Sequence, residues 1–334
     1  MVSIGILGAG TWGMALARML TNCGHDVTVW SALPDEIDRM KETRRQINLP
    51  GMVLPDDLLL TKSVSEVCSD KEILLFAVPS VFVRRTAKEA APFIPDGQII
   101  ADVAKGIEPD TLFTMTQVIR DELARDGRHS GVSYVALSGP THAEEVARDL
   151  PTTIVSSCED MRIAEKVQDV FMNSCMRVYT NPDILGVELC GAVKNIIALA
   201  AGMCEGLGYG DNAKAALITR GMAEITRLGL SMGCRAETFQ GLAGIGDLIV
   251  TATSRHSRNN RCGCLIGQGI PTKEAVEKIG MVVEGINAIP AVCTLSEKYG
   301  VEMPISRAVD EIINRGADPR STVMNLMTRR RRAE

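Results

Sequence analysis

Lys194 lies in the stretch 184–203, whose other side chains are apolar except for Glu188 and Asn195. Taking an ammonium out of water is unfavourable by several kcal/mol unless a partner compensates, and desolvation draws a lysine toward proton exchange near neutral pH. A lysine so placed is a candidate general acid or base. Asp247 offers a carboxylate for it, between the glycine-rich run Gly241-Leu242-Ala243-Gly244-Ile245-Gly246 and the apolar Leu248-Ile249-Val250. Asp247 is expected either to cap a helix or to pair with the Lys194 ammonium. A second lysine, Lys105, follows the apolar run 99–103 and precedes Gly106, which sets it at the carboxyl edge of a sheet, where ligands bind.

Two further stretches have the composition of anion sites. Gly8-Ala9-Gly10-Thr11-Trp12-Gly13 follows a β-rich run over residues 2–7 and opens a helix-forming stretch over residues 14–22. A second β-rich run comes at residues 26–30, about twenty residues on, which is the spacing of a dinucleotide-binding βαβ unit. Gly8 permits the sharp bend, Gly10 lets the backbone approach a pyrophosphate at the helix N-terminus, and Gly13 lets helix and strand pack closely. Trp12 is expected either on the cofactor side or as a packing aromatic. The second stretch, residues 254–261, carries Arg255, Arg258 and Arg261 among small donors where a helix could begin, and is expected either as a phosphate cradle or as a solvated basic loop.

Cofactor choice is written at the end of the second β-rich run, where NAD enzymes usually place an acidic residue on the ribose hydroxyls. This chain has Ser31 there, followed by Ala32 and Leu33, with no arginine before Arg39. Nothing in that order repels a 2′-phosphate, so the residues lean toward NADP and leave NAD open.

The elements that position these groups fall into two textures. Residues 2–7, 26–30, 73–78, 99–103, 134–137, 152–156 and 177–180 read as strands, and the continuous apolarity of 73–78, 99–103 and 134–137 implies burial on both faces of a mostly parallel sheet. Beyond Asn181-Pro182, helical stretches dominate at 184–203, 212–232, 273–279 and 286–299. The expected architecture is α/β: an N-terminal Rossmann-type domain over residues 1–180 and an all-helical substrate-binding domain over residues 181–334. The apolar helical half is expected to support a homodimer.

Composition narrows the function classes. A net charge of −5 argues against a general nucleic-acid binder, since such affinity comes from clustered Lys and Arg. The basic run 329–332 reads as a solvated tail. Ten cysteines without regular spacing point to a reducing, cytoplasmic setting, and no ligand spacing for a metal is found. The four histidines show no triad spacing, and Ser138 is not in a GxSxG elbow, which disfavours hydrolase chemistry. Glu188, Lys194 and Asn195 interrupt the one stretch long enough to span a membrane, so a buried core helix is expected there instead.

With the blocks Ala104-Lys105-Gly106, Ser138-Gly139-Pro140-Thr141, Gly191-Ala192-Val193-Lys194-Asn195, Gly244-Ile245-Gly246-Asp247-Leu248, Ser257-Arg258-Asn259 and Val282-Val283-Glu284-Gly285 added to the glycine turn, the chain resembles the NAD(P)-dependent glycerol-3-phosphate dehydrogenases along nearly its whole length. The resemblance implies that Lys194 exchanges the proton when dihydroxyacetone phosphate and sn-glycerol 3-phosphate interconvert, with Asp247 and Lys105 assisting. It further implies that Gly139, Thr141, Thr251, Ser257, Arg258 and Asn259 contact the substrate, and that Thr11, Trp12, Ala143, Val282 and Glu284 join Lys105 and Arg258 around the cofactor. Product glycerol 3-phosphate would feed phospholipid synthesis. Where many bacterial relatives carry a basic or histidine residue after the second strand, this chain has Ala32 and Leu33.

Overall fold

Continuously apolar strands must bury both faces, and they do so in one sheet with helices on either side. The computed structural model describes residues 1–125 and 127–330; of the basic run at the C-terminus, Arg331 and Arg332 lie outside the described residues. The strands are β1 (Ser3–Leu7), β2 (Asp26–Trp30), β3 (Leu59–Thr61), β4 (Ile73–Phe76), β5 (Ile99–Asp102), β6 (Ser133–Ser138), β7 (Thr152–Ser157) and β8 (Met176–Asn181). They form an eight-stranded sheet in the order β3-β2-β1-β4-β5-β6-β7-β8. Every pairing is parallel except β6 with β7, where Ala136 faces Ser157 and Ser138 faces Val155. The sheet is therefore mostly parallel, as the apolar runs predict. Edge strand β3 is not foreseen by those runs, because three residues are too few to show a period.

The chain divides into two compact units: Met1–Lys105 with Phe113–Glu188, and Gly106–Leu112 with the chain from Leu189 onward. In the first, helices α1 (Thr11–Asn22), α2 (Pro34–Thr43), α3 (Val64–Cys68), α4 (Val83–Ala90), α5 (Met115–Ala124), α6 (Ala143–Val146) and α7 (Met161–Phe171) cover the sheet. Alternation along β4 shows how both faces are filled. Ile73 and Leu75 join the cluster containing Leu16 and Leu20 of α1 and Phe171 of α7, while Leu74 and Phe76 join Val83 of α4 and Ile119 of α5. Each such side chain, fully buried, contributes about 1.5–3 kcal/mol of transfer free energy. The strand order reverses between β1 and β4, and in open sheets ligands bind beyond the carboxyl ends at that switch point.

The second unit is helical: α8 (Ile184–Gly206, entering from the first unit), α9 (Asp211–Ser231), α10 (Ala236–Gln240), a π-helical turn (Leu242–Gly246), α11 (Asp247–Thr253), α12 (Arg258–Gly267), α13 (Thr272–Ile279), α14 (Glu284–Lys298), α15 (Pro304–Arg315) and α16 (Pro319–Met327). Helix α8 is apolar and long enough to cross a membrane, yet 89% of its apolar window is buried within the protein, the environment of a core helix. Helix α12 packs tightly against it. A Cβ at Gly202 would lie 1.9 Å from the Asn260 carbonyl oxygen, and one at Gly263 would lie 2.0 Å from that of Leu199. Backbone therefore meets backbone along this seam, which any larger residue would force apart.

Candidate active site

Lys194 sits within α8 with 4% of its surface exposed. Its ammonium donates to Asp247 Oδ1 at 2.5 Å and to Thr251 Oγ1 at 2.6 Å. Asp247 is wholly buried, and the Thr251 hydroxyl donates in turn to the Asp247 carbonyl at 2.6 Å, one turn back along α11. The i, i+4 spacing on one helix brings carboxylate and hydroxyl to the same face. Of the two roles open to Asp247, pairing with the lysine is the one adopted: Asp247 is the first residue of α11, and Gly246 occupies the cap position. A desolvated ammonium compensated by one carboxylate and one hydroxyl satisfies the requirement for its burial.

Beside this pair runs a second chain of side-chain bonds. Asn195 Nδ2 donates to Gly191 O at 3.1 Å, Asn259 Nδ2 donates to Asn195 Oδ1 at 3.0 Å, and the Gly285 N–H donates to Asn259 Oδ1 at 2.8 Å. A single amide, Asn259, thus ties α8, α12 and the start of α14 together. At the head of α12, Ser257 is the N-cap and accepts from the Asn260 N–H at 3.2 Å. Arg258 is the first helical residue and half-buried, whereas Arg255 and Arg261 are exposed. The three arginines read together in the sequence therefore differ in setting, because helical geometry spreads neighbours around the axis. Val282 and Glu284, both half-buried, flank the entry into α14.

In the first unit the glycine turn has the form its spacing predicts. Gly8 adopts φ +126, and a Cβ there would meet Ala77 backbone atoms at 2.7 Å. Gly10, by contrast, has nothing within 4 Å of where its Cβ would stand, and as N-cap of α1 it leaves the first-turn N–H groups without a side-chain cap. Open space above free N–H groups fits a pyrophosphate. Thr11 and Trp12 are half-buried on the first turn of α1, and Gly13 is buried beneath it. Lys105, also half-buried, donates to Gly139 O at 3.2 Å, and Thr141 Oγ1 donates to the same carbonyl at 3.1 Å. Ala143 begins α6 just beyond. Strand-end residues separated by more than thirty positions are thus brought to one carbonyl.

One polar cluster escapes the sequence motifs. Ser31 Oγ donates to Glu36 Oε2 at 2.8 Å, and Gln46 Nε2 reaches both Glu36 Oε1 at 3.4 Å and Ala9 O at 3.2 Å. The sole signal in the sequence is a glutamate early in α2, which resembles an ordinary first-turn acid.

A doubly wound sheet with a glycine turn at its switch point, joined in one chain to a helical unit that buries a lysine–carboxylate pair, defines the dinucleotide-dependent dehydrogenases with a helical second domain. Comparison with known proteins narrows this. The family model for the NAD-dependent glycerol-3-phosphate dehydrogenase N-terminus matches residues 3–164, and that for the C-terminus of the same enzyme matches residues 183–324. Glycerol-3-phosphate dehydrogenase (NAD(P)+) 2 of Lactobacillus delbrueckii subsp. bulgaricus is 70% identical over 334 residues, covering 100% of this chain and 99% of that protein. The Bacillus subtilis glycerol-3-phosphate dehydrogenase (NAD(P)+) is 48% identical over 330 residues, covering 98% and 95%. Among solved structures, the glycerol-3-phosphate dehydrogenase of Coxiella burnetii superposes with a TM-score of 0.93 at 36% identity, covering 98% of this chain and 99% of that one. The chain belongs to the NAD(P)-dependent glycerol-3-phosphate dehydrogenase family, as the ordered sequence blocks imply.

Proposed function

We propose that this protein is a cytoplasmic, homodimeric enzyme that reduces dihydroxyacetone phosphate to sn-glycerol 3-phosphate, and reverses that reaction, with NADP or NAD as hydride carrier. The observation that carries the reading is the Lys194 ammonium, 4% exposed and held by Asp247 and Thr251. In reduction, the ammonium donates a proton to the substrate carbonyl oxygen as charge develops there; in oxidation, the amine takes the proton from the C2 hydroxyl. The nicotinamide, when bound, supplies or accepts the hydride at C2. Asp247 holds the lysine in place and favours its charged form, which regains its proton from water, and Thr251 is assigned a contact with the substrate hydroxyls. Ser257, Arg258 and Asn259, at the N-terminus of α12, suit the substrate phosphate. Lys105, Gly139 and Thr141 complete the substrate contacts. The cofactor contacts are assigned to Gly8, Gly10, Thr11, Trp12, Gly13, Lys105, Ala143, Arg258, Val282 and Glu284. Glycerol 3-phosphate made in this way would supply phospholipid synthesis.

Loss of reduced-nicotinamide absorbance on adding dihydroxyacetone phosphate is the expected result, and no substrate-dependent loss with either cofactor would overturn the reading. Phosphate recognition has its own check. Arg258→Ala should raise KM for dihydroxyacetone phosphate about 10–100-fold, the size of a lost charge-assisted hydrogen bond. An unchanged KM would point instead to an unphosphorylated substrate such as a 3-hydroxy acid. Light scattering on the purified protein decides the dimer.

A further inference from the structure

The end of β2 lacks an acidic residue in the sequence, but it does not lack a carboxylate in the fold. Glu36, in the first turn of α2, turns back so that Oε2 accepts the Ser31 hydroxyl at 2.8 Å. Ser31 is itself pinned, since its Oγ also accepts the Leu33 N–H at 3.2 Å. The second carboxylate oxygen accepts from Gln46 Nε2 at 3.4 Å, and the same amide nitrogen reaches Ala9 O in the glycine turn at 3.2 Å. Gln46 is buried and held from its other end, because its Oε1 accepts the Asn48 N–H at 2.6 Å. The carboxylate is thereby fixed between the end of β2 and the turn after β1, whose ends are joined by the Gly8 N–H donating to Trp30 O at 2.9 Å. In dinucleotide folds that gap receives the adenosine ribose.

We infer that Glu36, positioned by Ser31 and Gln46, is the cofactor-specificity residue of this protein and selects NAD over NADP by contacting the ribose hydroxyls and repelling a 2′-phosphate. The lean toward NADP read from Ser31, Ala32 and Leu33 reverses once the helix delivers an acid from five residues further on. Nearby cations do not offset it. The Arg44 guanidinium is bonded to the Pro55 and Leu58 carbonyls, Lys62 pairs with Asp38 at 2.6 Å, and Arg39 lies exposed one turn further along α2. A like charge held against a dianion in a partly desolvated site is strongly unfavourable, whereas a carboxylate accepting two hydroxyl hydrogen bonds is favourable.

The inference rests on the dinucleotide reading given above, and calorimetric titration of the full chain separates the two. The titrants are NAD, NADP and the half-ligands 5′-AMP and adenosine 2′,5′-bisphosphate, which probe the ribose without the nicotinamide. Wild type should bind NAD at least ~10-fold more tightly than NADP, and 5′-AMP more tightly than the bisphosphate. Glu36→Gln should cut both ratios by about 10-fold, with NADP affinity rising, and Ser31→Ala should move them the same way by less. Arg39→Ala should leave both ratios unchanged. Binding of NAD with an NADP affinity equal or greater in wild type would overturn the inference alone. So would a Glu36→Gln protein that melts at lower temperature with both ratios unchanged, since that is the signature of a first-turn acid that stabilises its helix and nothing more. Binding of neither dinucleotide would overturn both readings.

Discussion

The two units build their polar sites from different materials. At the sheet's carboxyl edge the site is largely backbone: a glycine with φ +126, open space over Gly10, and one carbonyl, that of Gly139, shared by Lys105 and Thr141. In the helical unit the site is a buried side-chain network, Lys194 with Asp247 and Thr251, and Asn195 with Asn259 and Gly285. The difference follows from what each element leaves unsatisfied. A strand end and a helix start expose N–H and C=O groups that a ligand can use directly, whereas a helix interior satisfies its own backbone and must recruit side chains for chemistry.

The largest test of this contrast is Lys194→Ala. Removing the proposed proton-transfer group should lower kcat by about 10²–10⁴-fold, while the Kd for the dinucleotide, whose proposed contacts are mostly in the sheet unit, should stay within a few-fold of wild type. Steady-state kinetics and calorimetry on the same preparation read both. A loss under ten-fold, or an equal loss of cofactor affinity, would remove the division of labour. Because Asp247 is left buried without its partner, the variant should also be less stable, and its fold must be followed by circular dichroism.

The same contrast explains what could be read from the chain before folding. Backbone-built features leave sequence signatures, because glycine is required where φ is positive or another chain passes close: the Gly8-Gly10-Gly13 turn and seven of the strands follow from local pattern. The side-chain networks leave almost none. Lys194 announces itself through its apolar surroundings, but Asp247 lies 53 residues away, and the Asn195–Asn259 bond spans 64. Glu36 was invisible for the opposite reason. It is close in sequence to Ser31, yet one turn of helix had to fold before it faced the strand end. Strand β3 and the short helix α16 also carry too little periodic signal to stand out beside the longer elements. The antiparallel entry of β7 depends on a connection that no local pattern encodes.

A glycine pair tests the materials themselves. Gly263→Ala would place a methyl 2.0 Å from the Leu199 carbonyl oxygen on the α8–α12 seam. Overpacking there should lower stability by about 1–3 kcal/mol or more, and kcat with it, since the seam sets the position of α12 against the helix bearing Lys194. Gly10→Ala meets nothing within 4 Å and has φ −66, so chemical denaturation should place it within about 0.5 kcal/mol of wild type. Its dinucleotide affinity should nonetheless fall, because the methyl occupies the space proposed for the pyrophosphate. Equal destabilisation by both substitutions would show that the two sets of glycines serve the same purpose.

The smallest effect concerns a carboxylate of the helical unit that lies outside the Lys194–Asp247 pair. Glu224 of α9 accepts the Ile305 and Ser306 N–H groups at 2.6 and 3.2 Å and the Ser306 hydroxyl at 3.3 Å, anchoring the start of α15. Burial pushes its carboxyl up to about 7, against the opposing pull of those bonds and of Arg227. A carboxyl that is raised in the folded state keeps its proton there after the unfolded chain has lost it. Its contribution is therefore fully present below the ordinary carboxylate range and declines as pH rises toward 7. Wild-type stability should fall by on the order of 1–2 kcal/mol from this source between pH 5 and 8, and Glu224→Gln, which cannot ionise, should show a correspondingly flatter profile in urea denaturation at the two pH values. Parallel profiles for the two proteins would mean that Glu224 is ionised throughout, held by the N-terminus of α15 in the way that Asp247 is held by Lys194.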